Sequence, residues 1–249
     1  WQRTYLVLAL VLMTVVAPSA ALLLRTRPRD LGLEPDGVPA PGENCAIEMN
    51  SRFGLSLSEG LRTRQFWAMA GVMLTIAVGI GITMQHVIAM AVDMGHAREF
   101  GALIFSIAGI LAAAGRLSGF VSDRLGREAA FTIVGILFLA SVFALLGFLA
   151  TKEAWTLYLY AVTFGLGSGL SSPTIGAGAA DLFGGRSFGK ILGFANISYG
   201  VGIGVGAWAG GMIFDRMGSY RLAVLAAIPL FILMSALFWV MAPGKAKKR

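Results

Sequence analysis

The sequence predicts an all-α integral membrane protein of seven transmembrane helices, one lone helix followed by a block of six. Three observations carry this. First, 57% of the 249 residues are hydrophobic and only 13% are charged, with a mean hydropathy of +0.76. A soluble domain carries about 25% charge, and a soluble core of this length cannot hide so much apolar surface, because surface area falls too slowly with size. Second, the apolar residues come in runs of about 20, enough helix to cross ~30 Å of hydrocarbon, and do not alternate as barrel strands do. Third, the basic residues alternate between the two ends of those runs. This composition excludes an ordinary soluble enzyme, a disordered chain and a disulfide scaffold.

The spans fall in order at Tyr5–Leu24, Phe66–Val92, Gly101–Val121, Ala129–Ala150, Trp155–Ala180, Ile191–Phe214 and Leu222–Ala242. Lipid offers the backbone no hydrogen-bond partners, so each run must be helical. The first is bracketed by Arg3 and by Arg25, Arg27 and Arg29. The second follows Arg52, Arg62 and Arg64, and Arg98 precedes the third. Arg124 and Arg127 separate the third from the fourth, and Lys152 the fourth from the fifth. Arg186 and Lys190 precede the sixth. Arg216 and Arg221 precede the seventh, and Lys245, Lys247, Lys248 and Arg249 follow it. One side therefore holds 14 basic residues and the other 5, with Arg116 left inside a span. The richer side is expected to be cytoplasmic, which puts the C-terminal tail in the cytosol of a multi-pass plasma (inner) membrane protein. The net charge of +7 reads as this topology signal and not as a nucleic-acid footprint; the tail could also touch anionic lipid.

Residues 25–65 contain Pro28, Pro35, Pro39 and Pro41 and several carboxylates. That composition cannot bury a core and reads as a linker. The division is thus a transmembrane helix at 1–24, a cytoplasmic loop at 25–65, a six-helix block at 66–242 and a basic tail at 243–249. One helix plus six, opening on Trp1, reads as a cut through a larger protein.

The constellations of enzymes are missing. Cys45 is the single cysteine and His86 and His96 are the two histidines, too few for an internal disulfide or a catalytic metal centre. No G-x-S-x-G elbow, H-E-x-x-H helix or phosphate loop occurs. No metal or cofactor is implied, and energy coupling is expected to come from an ion gradient or a counter-substrate.

Between the third and fourth spans the chain reads Gly115-Arg-Leu-Ser-Gly119-Phe-Val-Ser-Asp123-Arg124-Leu-Gly126-Arg127. Gly119 suits close helix approach, Gly126 a tight turn, and Asp123 can accept from a neighbouring helix end. The pattern G-x-x-x-D-R-x-G-R resembles the signature loop of the major facilitator superfamily of secondary transporters. Arg25 to Gly37, Asp181 to Gly193 and Gly211 to Arg221 resemble loops of its branch of oxalate/formate antiporters and monocarboxylate transporters. The resemblance implies the sixth helix, central loop and C-terminal half of a twelve-helix fold, with helices one to five, the N-terminal half, as a missing partner. It also implies two inverted three-helix repeats. One echo is visible: Gly119 onward and Gly211 onward share G-x-x-x-D-R-x-G.

Arg116 is the charged outlier within a span. Such residues usually face a cavity, and a guanidinium matches a carboxylate with two parallel hydrogen bonds. The resembling branch has a substrate-binding arginine in its eighth helix, the equivalent of this position. The other reading is snorkelling to the surface, or pairing with Asp123. The branch's oxalate exchanger also implies a basic residue within the eleventh helix. Here that helix has Lys190 only at its start, and Asn196, Ser198 and Tyr199 inside. One deep cation suits a monoanion better than a dianion. Ser171, with Ser168, Ser172, Pro173 and Thr174, lies in a glycine-rich span where hydroxyls either face substrate or satisfy carbonyls freed by the proline. Gln85, His86 and Asp93 are candidates for an outer gate or proton coupling, against a histidine simply bonded to a carbonyl. Gly202, Gly206 and Gly210 form a small-residue row for helix packing. Trp155, Tyr158 and Tyr160 read as an interfacial aromatic belt.

The reading is a secondary active transporter working by alternating access. Its substrate is a small organic anion of monocarboxylate type, carried by proton symport or anion exchange. Its partners are the lipid bilayer, that anion, and a proton or counter-anion, with no nucleic acid. The alternatives are a drug or other-solute exporter of the same superfamily, and a seven-helix receptor or sensor without transport.

Overall fold

A computed structural model describes residues 2–23, 55–185 and 187–241. It divides into two units, Trp1–Arg52 and Phe53–Arg249. Within the described residues every regular element is helical. Arg25 to Gly37, Cys45, Arg186 and the basic tail lie outside them.

The first unit holds α1 (Gln2–Val11), a π-helical turn (Leu12–Val16) and α2 (Ala17–Leu23). Pro18 has no N–H to give Thr14, four residues back; just ahead of it the ladder widens, and the Ala17 N–H bonds the Leu12 carbonyl five residues back. Thr14 Oγ1 meanwhile donates to the Leu10 carbonyl at 2.7 Å.

The second unit begins earlier than the first of its expected spans. Within the expected linker, α3 (Leu57–Leu61) forms. Its cap explains why. Ser56 Oγ accepts from the Glu59 N–H, and the Glu59 carboxylate accepts from the Ser56 N–H at 2.8 Å, a reciprocal capping box. Leu55, Leu57 and Leu61 then pack on the bundle. Capping chemistry and three leucines thus give the last residues of the expected loop a place on the core.

The bundle comprises α4 (Arg64–Met84), α5 (Val87–Asp93), α6 (Arg98–Arg116), α7 (Gly119–Leu125), α8 (Arg127–Thr151), α9 (Ala154–Phe183), α10 (Phe188–Met217) and α11 (Arg221–Met241). Two expected spans are therefore broken. The second divides at Gln85 and His86, and the third stops at Arg116, so Arg116 closes a helix and does not lie mid-span. Among the described residues, five helical stretches are both long and apolar enough to cross a membrane: Arg64–Asp93, Arg98–Arg116, Arg127–Thr151, Phe188–Met217 and Arg221–Met241. α9 has the length, 30 residues, but its glycines, serines and tyrosines dilute its hydropathy. The apolar part of the first unit, Ala9–Leu22, is shorter.

Packing is regular. α4 packs on α10 and α11, α9 packs on α6 and α8, and α8 packs on α11. Exchange α4 with α9, α6 with α10 and α8 with α11, and this set maps onto itself. The connections are too short to recross a bilayer, so successive spans run antiparallel and each exchanged pair points in opposite directions. The six spans are two inverted three-helix repeats. The α8–α11 seam is aromatic: Phe131 stacks on Phe238 at 4.0 Å and Phe138 on Phe231 at 4.6 Å between centroids. Tyr160 belongs to this core and not to an interfacial belt. It is fully buried and stacks on Phe164 at 5.2 Å, whereas Trp155 and Tyr158 are exposed.

Candidate functional site

Two glycine-lined crossings set the geometry. On α10, a Cβ added to Gly206 would collide with the Val78 carbonyl of α4, and one on Gly202 would lie 2.7 Å from the Leu74 carbonyl. On the symmetry-related crossing, a Cβ on Gly115 of α6 would lie 2.9 Å from the Gly169 Cα of α9. Only glycine permits such backbone approach. The α4–α10 and α6–α9 pairs are therefore tight, while α9 and α10 touch little.

A cavity of about 400 Å³ opens between these pairs, within the usual range for small-molecule sites. Arg116, Ser171, Asn196 and Tyr199 all line it, with Ser168 and Ser172. Sequence spacing singles out these polar residues separately, and the fold brings them together. The remaining wall is apolar: Met73, Ile76, Ile175 and Leu192. Nothing in the sequence marks those four, because a cavity wall and a packed core use the same side chains. Arg116 makes no hydrogen bond or ion pair among the described residues, and it lies close enough to Tyr199 to act on its hydroxyl electrostatically. Ser171 Oγ donates to the Ser168 carbonyl at 2.7 Å and Thr174 Oγ1 to the Leu170 carbonyl at 2.8 Å. The carbonyl that Pro173 itself deprives of a helical donor is the one between them, on Gly169.

Below Arg116 the chain turns through α7 into α8. Gly126 has φ +90°, a conformation that L side chains rarely adopt, and so permits the abrupt start of α8. The next residue, Arg127, is buried and gathers three acceptors. Its guanidinium donates to Asp123 Oδ1 at 2.6 Å, to Ser122 Oγ at 2.9 Å and to Asp181 Oδ2 at 2.8 Å. Asp123 is thus taken by Arg127, which corrects the reading in which it pairs with Arg116. Arg124 instead lies over the Phe120 ring, 5.6 Å from its centroid. A Cβ on Gly119 would meet Pro173 at 3.5 Å, an ordinary contact, so close approach does not require glycine there. The sequence does not mark Ser122 and Asp181 as partners; the one signal is that Asp181 opens the stretch from Asp181 to Gly193.

The family model described as Major Facilitator Superfamily matches residues 1–183 and again 117–249. The chain belongs to the major facilitator superfamily. It is accordingly a multi-pass membrane protein of a transporter family. No curated protein matched it.

At the far end of this major facilitator bundle from Arg127, Gln85 and His86 interrupt the α4–α5 helix. His86 shares a hydrogen bond of 2.9 Å between Nε2 and the Ala207 carbonyl of α10. The ring nitrogen must donate, which fixes the Nε2–H tautomer or the imidazolium. Its ring also packs against Tyr220, 5.4 Å between centroids. Gly210 leaves room for it, since a Cβ there would lie 2.8 Å from Nε2. Gln85 and Asp93 are exposed, and none of the three lines the cavity. His96, given no role by its sequence position, makes a 3.0 Å hydrogen bond to the Lys152 carbonyl, tying the α5–α6 loop to the end of α8.

Proposed function

We propose that this chain takes part in secondary active transport of a small organic anion of monocarboxylate type, with Arg116 as the anion anchor. The carrying observation is an unpaired guanidinium at the edge of a cavity that also presents Asn196, Tyr199 and serine hydroxyls. Coulomb attraction and two parallel N–H donors favour a carboxylate there. The side holding Arg116, Asn196 and Tyr199 is open, and in alternating access a second helical half would close it. The basic-residue count, 14 against 5, supports an orientation with the Arg127 end in the cytosol of the plasma membrane. The resemblance to the oxalate/formate and monocarboxylate branch supports proton symport or anion exchange as the coupling, with His86 at the outer end a constraint on α10 and not a member of the cavity.

The test is acetate binding to the purified chain in nanodiscs, read by isothermal titration calorimetry. Arg116→Gln is expected to weaken binding at least tenfold and Arg116→Lys to weaken it less. Equal binding by Arg116→Gln would overturn the assignment.

A further inference from the structure

The inverted repeats bring a second charged set to the end of the bundle opposite Arg127. The glycine crossings fix the register. A Cβ on Gly81 of α4 would lie 3.0 Å from the Gly206 Cα of α10, and one on Gly169 of α9 would lie 2.6 Å from the Gly115 Cα of α6. Exchanging the repeats therefore exchanges Gly81 with Gly169. Twelve residues beyond Gly81 comes Asp93, and twelve beyond Gly169 comes Asp181. The shared G-x-x-x-D-R-x-G motif likewise exchanges Asp123 with Asp215 and Gly126 with Gly218. Both of the latter glycines have positive φ, +90° and +65°. Each precedes an arginine that opens the next helix, Arg127 of α8 and Arg221 of α11. Arg127 follows its glycine directly, whereas Ser219 and Tyr220 intervene before Arg221.

At one end this set is closed, with Arg127 bridging Asp123 and Asp181. At the other it is open. Asp93, Asp215 and Arg221 are exposed, and none of them forms an ion pair among the described residues. The two carboxylates nevertheless stand near one point. Burial, then Asp93 and Asp215, push the Tyr220 hydroxyl above its ordinary pKa, so both charges lie close to the residue that precedes Arg221. Tyr220 itself is held in place: it is buried, stacks on Phe214 at 4.2 Å and packs against His86. Two carboxylates in one neighbourhood gain from a cation between them, and a guanidinium has donors enough for both, as Arg127 demonstrates.

We propose that Arg221 is a second clasp: in an alternate state of the bundle, in which the two repeats exchange conformations, it closes on Asp93 and Asp215 and ties α11 to the end of α5. The Arg127 clasp opens in that state, so one end is held at a time. This does not depend on the anion-anchor reading above. Arg216 has no part in it, because its counterpart Arg124 lies over Phe120 and bridges neither carboxylate of the closed set.

The experiment uses a zero-length carbodiimide on the full chain in nanodiscs, which joins an amine to a carboxylate only where the two meet. Arg221→Lys and Arg216→Lys supply the amine at exposed positions, where both variants should fold. Mass spectrometry of linked peptides should show position 221 joined to Asp93 and to Asp215. Its yield with Asp93 should exceed that of position 216 about fivefold, the upper weight of one exposed ion pair. Adding Asp181→Asn, which weakens the Arg127 clasp, should raise the link between 221 and Asp93 by up to about tenfold. Asp123→Asn, the milder change, should raise it less and keeps the test available if Asp181→Asn does not fold. No link from 221 to Asp93, or equal yields from 221 and 216, would overturn the inference. So would a link that forms but does not respond to weakening the Arg127 clasp.

Discussion

Arg127 Nε donates to Asp181 Oδ2 at 2.8 Å, joining the first residue of α8 to the last turns of α9. The two side chains are 10% and 18% exposed, whereas Asp123, on the same guanidinium, is 63% exposed. Water competes for a charge pair in proportion to its access, so the two carboxylates should contribute unequally. Asp181→Asn is expected to cost about 1.5–3 kcal/mol, the range for a hydrogen bond to a charged group. Asp123→Asn should cost about 0.2–1 kcal/mol. Thermal unfolding in detergent would show the order, and a larger loss for Asp123→Asn would contradict it.

The α4–α10 crossing offers a sharper steric test. Gly206 has the Val78 carbonyl where a Cβ would go, while Gly200, two turns earlier on the same helix, has open space. Gly206→Ala should overpack the crossing and cost about 1–3 kcal/mol. Gly200→Ala should be neutral or slightly stabilising, because alanine favours helix over glycine. The pair is compared by melting temperature in one detergent. Equal behaviour would mean that the crossing is not close-packed.

What was legible in the sequence follows the range of the forces involved. The helices were readable because each is dictated by its own run of apolar residues, and Arg116 because a charge near an apolar run is conspicuous. The breaks at Gln85–His86 and after Arg116 are not, since apolar residues resume just beyond each, and at His86 the group that the interruption meets, the Ala207 carbonyl, is distant in sequence. α9 was readable only by length, as its glycines serve packing against α6 and lower its hydropathy. α3 is not legible there, because a few leucines after a proline-rich stretch look like a linker until the bundle they cover is present. For the cavity, its polar members were each visible in isolation. Its apolar wall was not, because no local pattern separates Ile76 from any other buried isoleucine.

The α3 capping box should respond to acid. The Ser56 hydroxyl and N–H bonds to its carboxylate hold the Glu59 pKa below its ordinary value. A carboxyl with a lowered folded pKa contributes stability above its unfolded pKa and loses it as pH falls through the folded one. α3 should therefore fray below the usual carboxylate range and stay capped at neutral pH. Trp67 reports on it, since its indole N–H donates to the Leu61 carbonyl at 2.9 Å. Its fluorescence should change on acidification, and Glu59→Gln should remove that transition. A transition that persists in Glu59→Gln would assign it to another group.

His86 and Gly210 provide a coupling test at the opposite end. The imidazole reaches the Ala207 carbonyl only because residue 210 has no side chain, and a Cβ there would press on Nε2 and Cδ2 at 2.8 Å. Gly210→Ala should displace the ring, loosening its hydrogen bond and its contact with Tyr220, at about 1–3 kcal/mol. His86→Ala should lose the hydrogen bond outright, about 0.5–1.5 kcal/mol, together with the ring contact. The two effects share one cause, so they should not add. With the ring already removed, Gly210→Ala meets no obstacle and should be close to neutral. A double-mutant cycle by thermal or denaturant unfolding reads this directly. Full additivity would place the Gly210 effect elsewhere, on the backbone of Ile82, whose Cα stands 3.6 Å from the added carbon.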